Sequence, residues 1–187
     1  MLALMLLAVA ALPAAAEELP PLPFVAKDIC PTSRCAYGTW VAARELTAYQ
    51  FEGNMTRPAF KLAAGERFLA IGGNLHTFKP GKALVMETFT DPPDSRNPYD
   101  RFQKDSWVFL LAPRGEGYYD VWFHGRRRGV KLPMTESSYF MPGRDLVKLV
   151  ERANWTWWVY IKKGTGAKGW LSFPGIVTGD VKGMAKM

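Results

Sequence analysis

Two cysteines and their spacing offer the simplest chemistry in this sequence. Cys30 and Cys35 enclose four residues in the segment Cys-Pro-Thr-Ser-Arg-Cys. Redox centres usually place two residues between their cysteines, at the start of a helix. In an exported protein the simpler interpretation is a small disulfide loop, which Pro31 and Ser33 suit as a turn. The spacing therefore predicts a structural disulfide rather than a redox pair.

The two histidines are the other candidates for chemistry. A hydrolase would need a histidine beside a nucleophile and an orienting carboxylate, and no G-x-S-x-G motif accompanies His76 or His124. Asp120 shares a predicted strand face with His124, but positions four apart on a strand are about 13 Å from each other, too far for a hydrogen bond. Two cysteines and two separated histidines also make a zinc site improbable. The sequence predicts no catalytic residue, metal or cofactor.

A basic run follows the histidine at position 124. Arg126, Arg127 and Arg128 come directly after a predicted strand, where we expect a surface loop. Adjacent guanidinium groups suit phosphate oxygens, so teichoic-type or phospholipid phosphates would fit, although most charge runs are solvated turns. The formal net charge of +7 favours anionic surfaces in the same way. Export would make nucleic acid the least plausible partner, and none is predicted.

Aromatic side chains are the second group of candidates for a ligand surface. The aromatic candidates are Tyr49, Phe51, Tyr118, Tyr119, Trp155, Trp157, Trp158 and Tyr160. Alternation along residues 157–162 places Trp157 on the face of the β-branched residues, which we expect to be buried. Trp158 and Tyr160 share the other face with a lysine and are expected to be exposed. The ligand-binding prediction consists of Tyr49, Tyr118, Tyr119, Trp158, Tyr160, Arg126, Arg127 and Arg128; the alternative is that most of the rings belong to the core.

The first sixteen residues have the composition of an export signal. Residues 2–16 are uncharged and end in Ala14, Ala15 and Ala16, just before Glu17. This pattern fits an apolar signal segment with an A-x-A cleavage site, and it is short for a membrane span. We therefore expect an exported, periplasmic or secreted protein with no membrane span after cleavage. Because no lysine or arginine precedes the apolar run, a start within a longer leader stays open.

Glycine turns and alternating apolar residues predict a mainly β domain at residues 37–175, after a proline-rich tether and the cysteine loop at 17–36 and before a weakly patterned tail at 176–187. The predicted strands lie at 37–51 and 81–87 and in hairpins at 60–71, 107–124 and 157–171. Residues 88–105 are polar and predict a loop. Residues 145–152 alone have helical spacing, with Leu146, Leu149 and Val150 on one face.

Several of these motifs resemble those of bacterial SH3-like (SH3b-type) domains. The order W-V-x-I-K, glycine-rich turn and G-W-L at 157–171 is similar to the closing hairpin of that family, and L-x-x-G-E-x-F-x-A-I at 62–71 is similar to its L-x-x-G-D/E-x-V-x-V-L. With residues 35–40 and 107–125, they look like a group of exported bacterial proteins of uncharacterised role. The resemblance implies a small barrel with a β-rich insertion at about 76–150. Such a barrel would bury Trp170 and pair residues 158–171 with the strands around 65–71.

The resemblance also implies binding without catalysis. The sequence predicts a non-catalytic binding module of the bacterial cell envelope that recognises peptide or cell-wall material. An interaction or assembly subunit with a protein partner is the alternative, and an undetected hydrolase is a remote third.

Overall fold

The computed structural model describes residues 18–31, 35–92, 101–134, 146–175 and 179–184. These residues form fifteen strands and contain no helix. The strands are β1 (Phe24–Ala26), β2 (Gly38–Ala42), β3 (Leu46–Phe51), β4 (Asn54–Leu62), β5 (Arg67–Lys79), β6 (Gly81–Val85), β7 (Phe89–Thr90), β8 (Arg101–Phe102), β9 (Trp107–Gly115), β10 (Tyr118–Phe123), β11 (Arg126–Lys131), β12 (Val147–Glu151), β13 (Asn154–Lys163), β14 (Lys168–Pro174) and β15 (Val181–Lys182). The prediction of a mainly β fold is confirmed.

The larger sheet is built around β5 and β13. Its strand order is β15-β2-β5-β13-β14-β3-β4, and β1 pairs with β5 as well. The predicted β13–β14 hairpin is confirmed, with Trp158 opposite Ser172. Its predicted pairing with the strand that follows Gly65 is also confirmed, because Ile161 lies opposite Ala70.

None of the sheets in the described residues closes into a barrel. The strand β14 meets β3 at a single register pair, Trp170 with Tyr49, and β4 and β15 end the larger sheet on its two sides. The predicted hairpin at 60–71 is wrong, since β4 pairs with β3 while β5 pairs with β2 and β13. The connection at Gly65 bonds to the end of β2 instead, where the Gly65 amide donates to the Ala42 carbonyl at 2.8 Å.

The smaller sheet has the order β11-β10-β9-β6-β12. The predicted hairpin at 107–124 corresponds to β9 and β10, and the predicted strand at 81–87 corresponds to β6. The β10–β11 turn lies at His124 and Gly125, whose φ values of 49° and 70° suit a two-residue hairpin turn. This turn ends β10 one residue before His124 and starts β11 at Arg126. The three arginines therefore lie in a strand, and the prediction of a loop there is wrong.

Two further sequence predictions are corrected in this sheet and beside it. Residues 147–151 form β12, which pairs with β6, and not a helix. The edge of β6 supplies a hydrogen-bonding partner that helical spacing cannot reveal, and Val147 is the buried residue of the segment.

Residues 88–105 are not all loop, because β7 and β8 pair and the buried Phe102 ring stacks on Phe89 with 4.8 Å between ring centroids. Residues 93–100 lie outside the described part.

The first and last described segments of the chain both contact the sheets. Pro20 is buried, and the Trp122 indole donates to the Glu18 carbonyl at 2.9 Å. In the predicted tail, Val181 and Lys182 pair with β2, and Asp180 forms an ion pair with Arg44 at 2.7 Å. The segment expected to be a tether and the segment expected to fray thus both make defined contacts.

The buried apolar side chains form two hydrophobic cores. The larger is centred on Trp40 and Trp157, whose ring centroids are 5.8 Å apart. The other lies between strands of the smaller sheet and includes Phe102 and Phe123. Trp155 packs against both, and its indole donates to the Leu111 carbonyl at 3.0 Å. Trp155 therefore joins the two cores.

The Tyr37 phenol, which contacts the N-terminal segment, makes the stability of the fold depend on pH. Its hydroxyl donates to the Ile29 carbonyl at 2.6 Å. Burial raises the pKa of Tyr37 from 10.0 to about 12; the hydrogen bond with Trp157 lowers this pKa and nearby Asp28 raises it. The neutral phenol is therefore favoured in the folded state, so its contribution to stability is complete below pH 10 and is lost as the pH rises towards 12.

We expect Tyr37→Phe to remove this part of the pH dependence. Urea unfolding of both proteins below pH 10 and between pH 10 and 12 should show a steeper loss of stability for the parent in the alkaline window. Parallel losses in the two proteins would contradict the assignment to Tyr37.

Candidate ligand groove beside the disulfide

The disulfide lies where the N-terminal segment meets the larger sheet. Cys30 and Cys35 are joined with 5.6 Å between their Cα atoms. The preceding residue, Ile29, is buried, its amide donates to Gly73 at 2.8 Å, and its carbonyl also accepts from the Trp157 indole at 3.1 Å. These long-range hydrogen bonds hold the first cysteine in place against the core.

A groove of about 620 Å³ lies between this disulfide and the β9–β10 hairpin. We call it the disulfide groove and define it by Cys30, Cys35, Arg114, Gly115, Glu116, Tyr118, Tyr119, Asp120 and Gly129. Its volume falls within the range of small-molecule and peptide-side-chain sites. Two of the residues predicted to bind a ligand, Tyr118 and Tyr119, therefore line one concave surface.

The polar floor of the groove is an ion pair. Asp120 is 4% exposed, and its Oδ2 accepts from Arg114 Nε at 3.0 Å and from a terminal nitrogen of the same guanidinium at 2.6 Å. Arg114 is partly exposed. A buried carboxylate held by a guanidinium is fixed in orientation, so the groove presents preorganised polar groups.

The two tyrosines have different roles. Tyr118 is 45% exposed, with the Lys131 ammonium 5.4 Å from its ring centroid. Tyr119 is partly buried, packs against the smaller core and also lines a second cavity of about 320 Å³ with Leu110 and Trp155. Tyr118 is thus the aromatic side chain that a ligand in the groove can contact from solvent.

The arginine run lies on the neighbouring strand. In β11, Arg126 pairs with Phe123, Arg127 with Trp122 and Arg128 with Val121. The Arg127 guanidinium lies 5.7 Å from the ring centroid of Phe24 in the N-terminal segment. The structure therefore brings the basic run and Tyr118 onto adjacent strands.

The other predicted ligand residues belong to the larger sheet. Trp158 is 2% exposed, so the prediction of exposure is wrong. The Tyr49 ring from β3 packs edge-on against it at 6.1 Å, which shows that the second face of β13 is covered. Tyr160 is partly buried and packs on Trp170 at 4.9 Å, and Trp170 is itself only partly buried. Tyr49, Trp158 and Tyr160 do not line the disulfide groove.

A histidine–carboxylate pair was not predicted from the sequence. His76 Nε2 lies 2.5 Å from Glu52 Oε1, and Asn74 donates to the other oxygen of Glu52 at 2.8 Å. Glu52 lies in the β3–β4 turn, and its approach to β5 depends on the folding of the sheet, which no local pattern indicates. No hydroxyl or thiol within the described segments hydrogen-bonds to the His76 ring. The pair fastens the β3–β4 hairpin to β5.

The described residues contain neither a metal-binding cluster nor a helix that could span a membrane. Across these segments, no group of three or more histidine, cysteine, aspartate or glutamate side chains could hold a metal ion. No helix in the same segments is long and apolar enough to cross a membrane.

Comparisons with protein-family models, with curated proteins and with solved structures find no match to this chain.

Proposed function

We propose that this protein is an exported, non-catalytic binding protein of the bacterial cell envelope, similar to SH3-like domain proteins, that recognises peptide or cell-wall material in the disulfide groove. The observation that carries the proposal is the groove itself. The groove has a volume of about 620 Å³. An exposed aromatic ring, an ion pair and the Cys30–Cys35 disulfide line it.

The chemistry of the lining supports a polar ligand. The Tyr118 ring offers flat apolar contact, the Arg114–Asp120 pair offers charge and hydrogen bonding, and Glu116 adds a second carboxylate. Ligand sites commonly combine aromatic contact with a few oriented polar groups. A peptide or an amino sugar has both the polar edges and the apolar faces that such a lining can contact.

The exported location rests on two observations. The first sixteen residues have a signal-like composition, and the two cysteines are paired in the structure. Structural disulfides persist in oxidising compartments, so the pair is compatible with export.

The proposal predicts that the protein binds cell wall through Tyr118. Purified cell wall should carry the parent protein into the pellet on centrifugation, and Tyr118→Ala should weaken this binding by about tenfold, as the loss of an aromatic contact at the centre of a site does. Because Tyr118 is an exposed side chain outside the two cores, the variant should keep its thermal stability.

Tyr160→Ala is the matched control, since it removes the same side chain from the larger sheet. We expect it to bind cell wall as the parent does. Binding that is unaffected by Tyr118→Ala but reduced by Tyr160→Ala would exclude the disulfide groove as the site. A parent protein that stays in the supernatant would exclude recognition of cell-wall material.

An assembly subunit is the second candidate, favoured by exposed apolar side chains on β5. Leu69 and Ile71 project from one side of that strand and are 44% and 47% exposed. Apolar side chains grouped in this way mark many protein–protein interfaces. Loss of a co-purifying envelope protein on Ile71→Lys, with cell-wall binding unchanged, would support this candidate.

A further inference from the structure

We propose that β11 is a docking edge at which this protein binds an acidic, extended peptide as an additional strand. This inference rests on the proposed function and deepens it, because it names the class of ligand and the way in which the backbone recognises it.

Backbone groups of β11 point alternately towards β10 and away from it. The Leu132 amide donates to the Gly117 carbonyl at 3.0 Å, in the same register as the β10–β11 pairing. In an antiparallel pair, every second residue exchanges hydrogen bonds with the partner strand. The residues between them, Arg127, Gly129 and Lys131, therefore point their amides away from β10.

One of these outward amides is already bound by a carboxylate. The Lys131 amide donates to Asp91 Oδ2 at 3.1 Å, which confirms the direction deduced from the ladder. An aspartate thus satisfies this edge at one end. The same chemistry is open to a carboxylate-bearing chain further along the strand.

The middle of the edge is accessible. Arg127 and Gly129 are both exposed among the described residues. Gly129 also lines the disulfide groove. A strand added along β11 would run beside the groove, so that its side chains could reach the groove while its backbone pairs with the edge.

Charge selects an acidic partner. Three consecutive arginines and Lys131 lie within the six residues of β11, in a protein of net charge +7. A carboxylate on the added strand, placed opposite Arg127, would meet its exposed guanidinium across the new pair of strands.

The other sheet edges in the described residues suit this role less well. The strand β4 contains Pro58 and has irregular register with β3, β15 has two residues, and the register of β12 shifts between Leu149 and Glu151. The strand β11 pairs with β10 without a register shift. Charged residues on an edge strand also prevent self-association of a protein. The experiment below distinguishes this protective role of the β11 arginines from peptide binding.

The test uses a short, capped, fluorescent peptide of alternating glutamate and threonine. Fluorescence anisotropy should show binding to this peptide and none to its lysine-for-glutamate counterpart. Two further peptides have the same sequence but carry N-methyl groups on every second residue, one peptide on the odd positions and the other on the even positions. Both keep every charge, and each loses the backbone N–H donors of one edge. The version methylated on the pairing edge should bind about tenfold more weakly, because it loses several hydrogen bonds.

Two substitutions at one position provide the matched protein variants. Gly129→Pro removes the outward amide without touching the β10 ladder and should weaken binding by about tenfold, whereas Gly129→Ala keeps the amide, adds a Cβ atom with no heavy atom within 4 Å and should bind more tightly than Gly129→Pro. Amide exchange gives an independent measurement, since the peptide should protect Gly129 in the parent protein.

Equal binding of the acidic and both N-methylated peptides would show attraction by charge alone and would overturn strand addition. Failure of the acidic peptide to bind, together with self-association of Arg127→Thr, would assign the arginines to guarding the edge and would also overturn it. Neither outcome changes the result expected from the cell-wall experiment with Tyr118→Ala. Failure of strand addition can therefore be distinguished from failure of the proposed function.

Discussion

Trp157→Ala is expected to destabilise the protein by roughly 3–5 kcal/mol, the range for removing a fully buried large aromatic side chain. The ring is 0% exposed, packs against Trp40 and Phe173, and donates its indole hydrogen to Ile29. The substitution leaves a cavity and also removes the hydrogen bond that ties the N-terminal segment to the core. Urea unfolding at equilibrium measures the loss.

Trp170→Ala is the matched control on the paired strand. That ring is partly buried and packs mainly on Tyr160, so we expect a smaller loss of about 1–2 kcal/mol. A closed SH3-like barrel would instead bury Trp170 and make the two losses similar. Equal destabilisation by the two variants would therefore contradict the open sheet.

Arg114→Ala is expected to cost about 1–3 kcal/mol, because it leaves the Asp120 carboxylate buried without its partner. The cost lies below the usual range for a buried ion pair, since the guanidinium is partly exposed. The variant should also distort the floor of the disulfide groove, because Arg114 and Asp120 both line it. Urea unfolding of the purified variant, compared with the parent, checks the expected loss.

The double variant Arg114→Ala with Asp120→Asn separates the lost pair from lost packing. Neutralising the carboxylate removes the charge that Arg114 compensated, so the double variant should be more stable than Arg114→Ala alone. A double variant whose loss equals the sum of the two single losses would show that the two side chains act independently.

Much of the local structure could be predicted because it depends on neighbouring residues. The alternation in β13, the glycine-containing turns and the spacing of Cys30 and Cys35 are properties of short segments, and the hairpins at 107–124 and 157–171 follow from them. The long-range pairing of β13 with β5 was also predicted, because the order of the motifs resembles that of SH3-like domains.

The candidate site could be predicted only in part. Tyr118 and the arginine run were recognised as candidates from residue type, and the structure places them on adjacent strands. Arg114, Asp120 and the cysteines were not predicted to share a groove with Tyr118, because the cysteine loop and the β9–β10 hairpin are far apart in the chain. No short-range sequence pattern shows which hairpin the two cysteines will face.

The sequence by itself determined the class of structure and the faces of individual strands, since backbone geometry alone sets the alternation of side chains. Tertiary structure decided which of those faces are covered. Trp158 is on the face that alternation predicts, yet Tyr49 packs against it and the ring is buried. Residues 147–151 have helical spacing, yet pairing with β6 makes them a strand. In both cases a partner distant in sequence supplies the contacts and hydrogen bonds, and these outweigh the local preference.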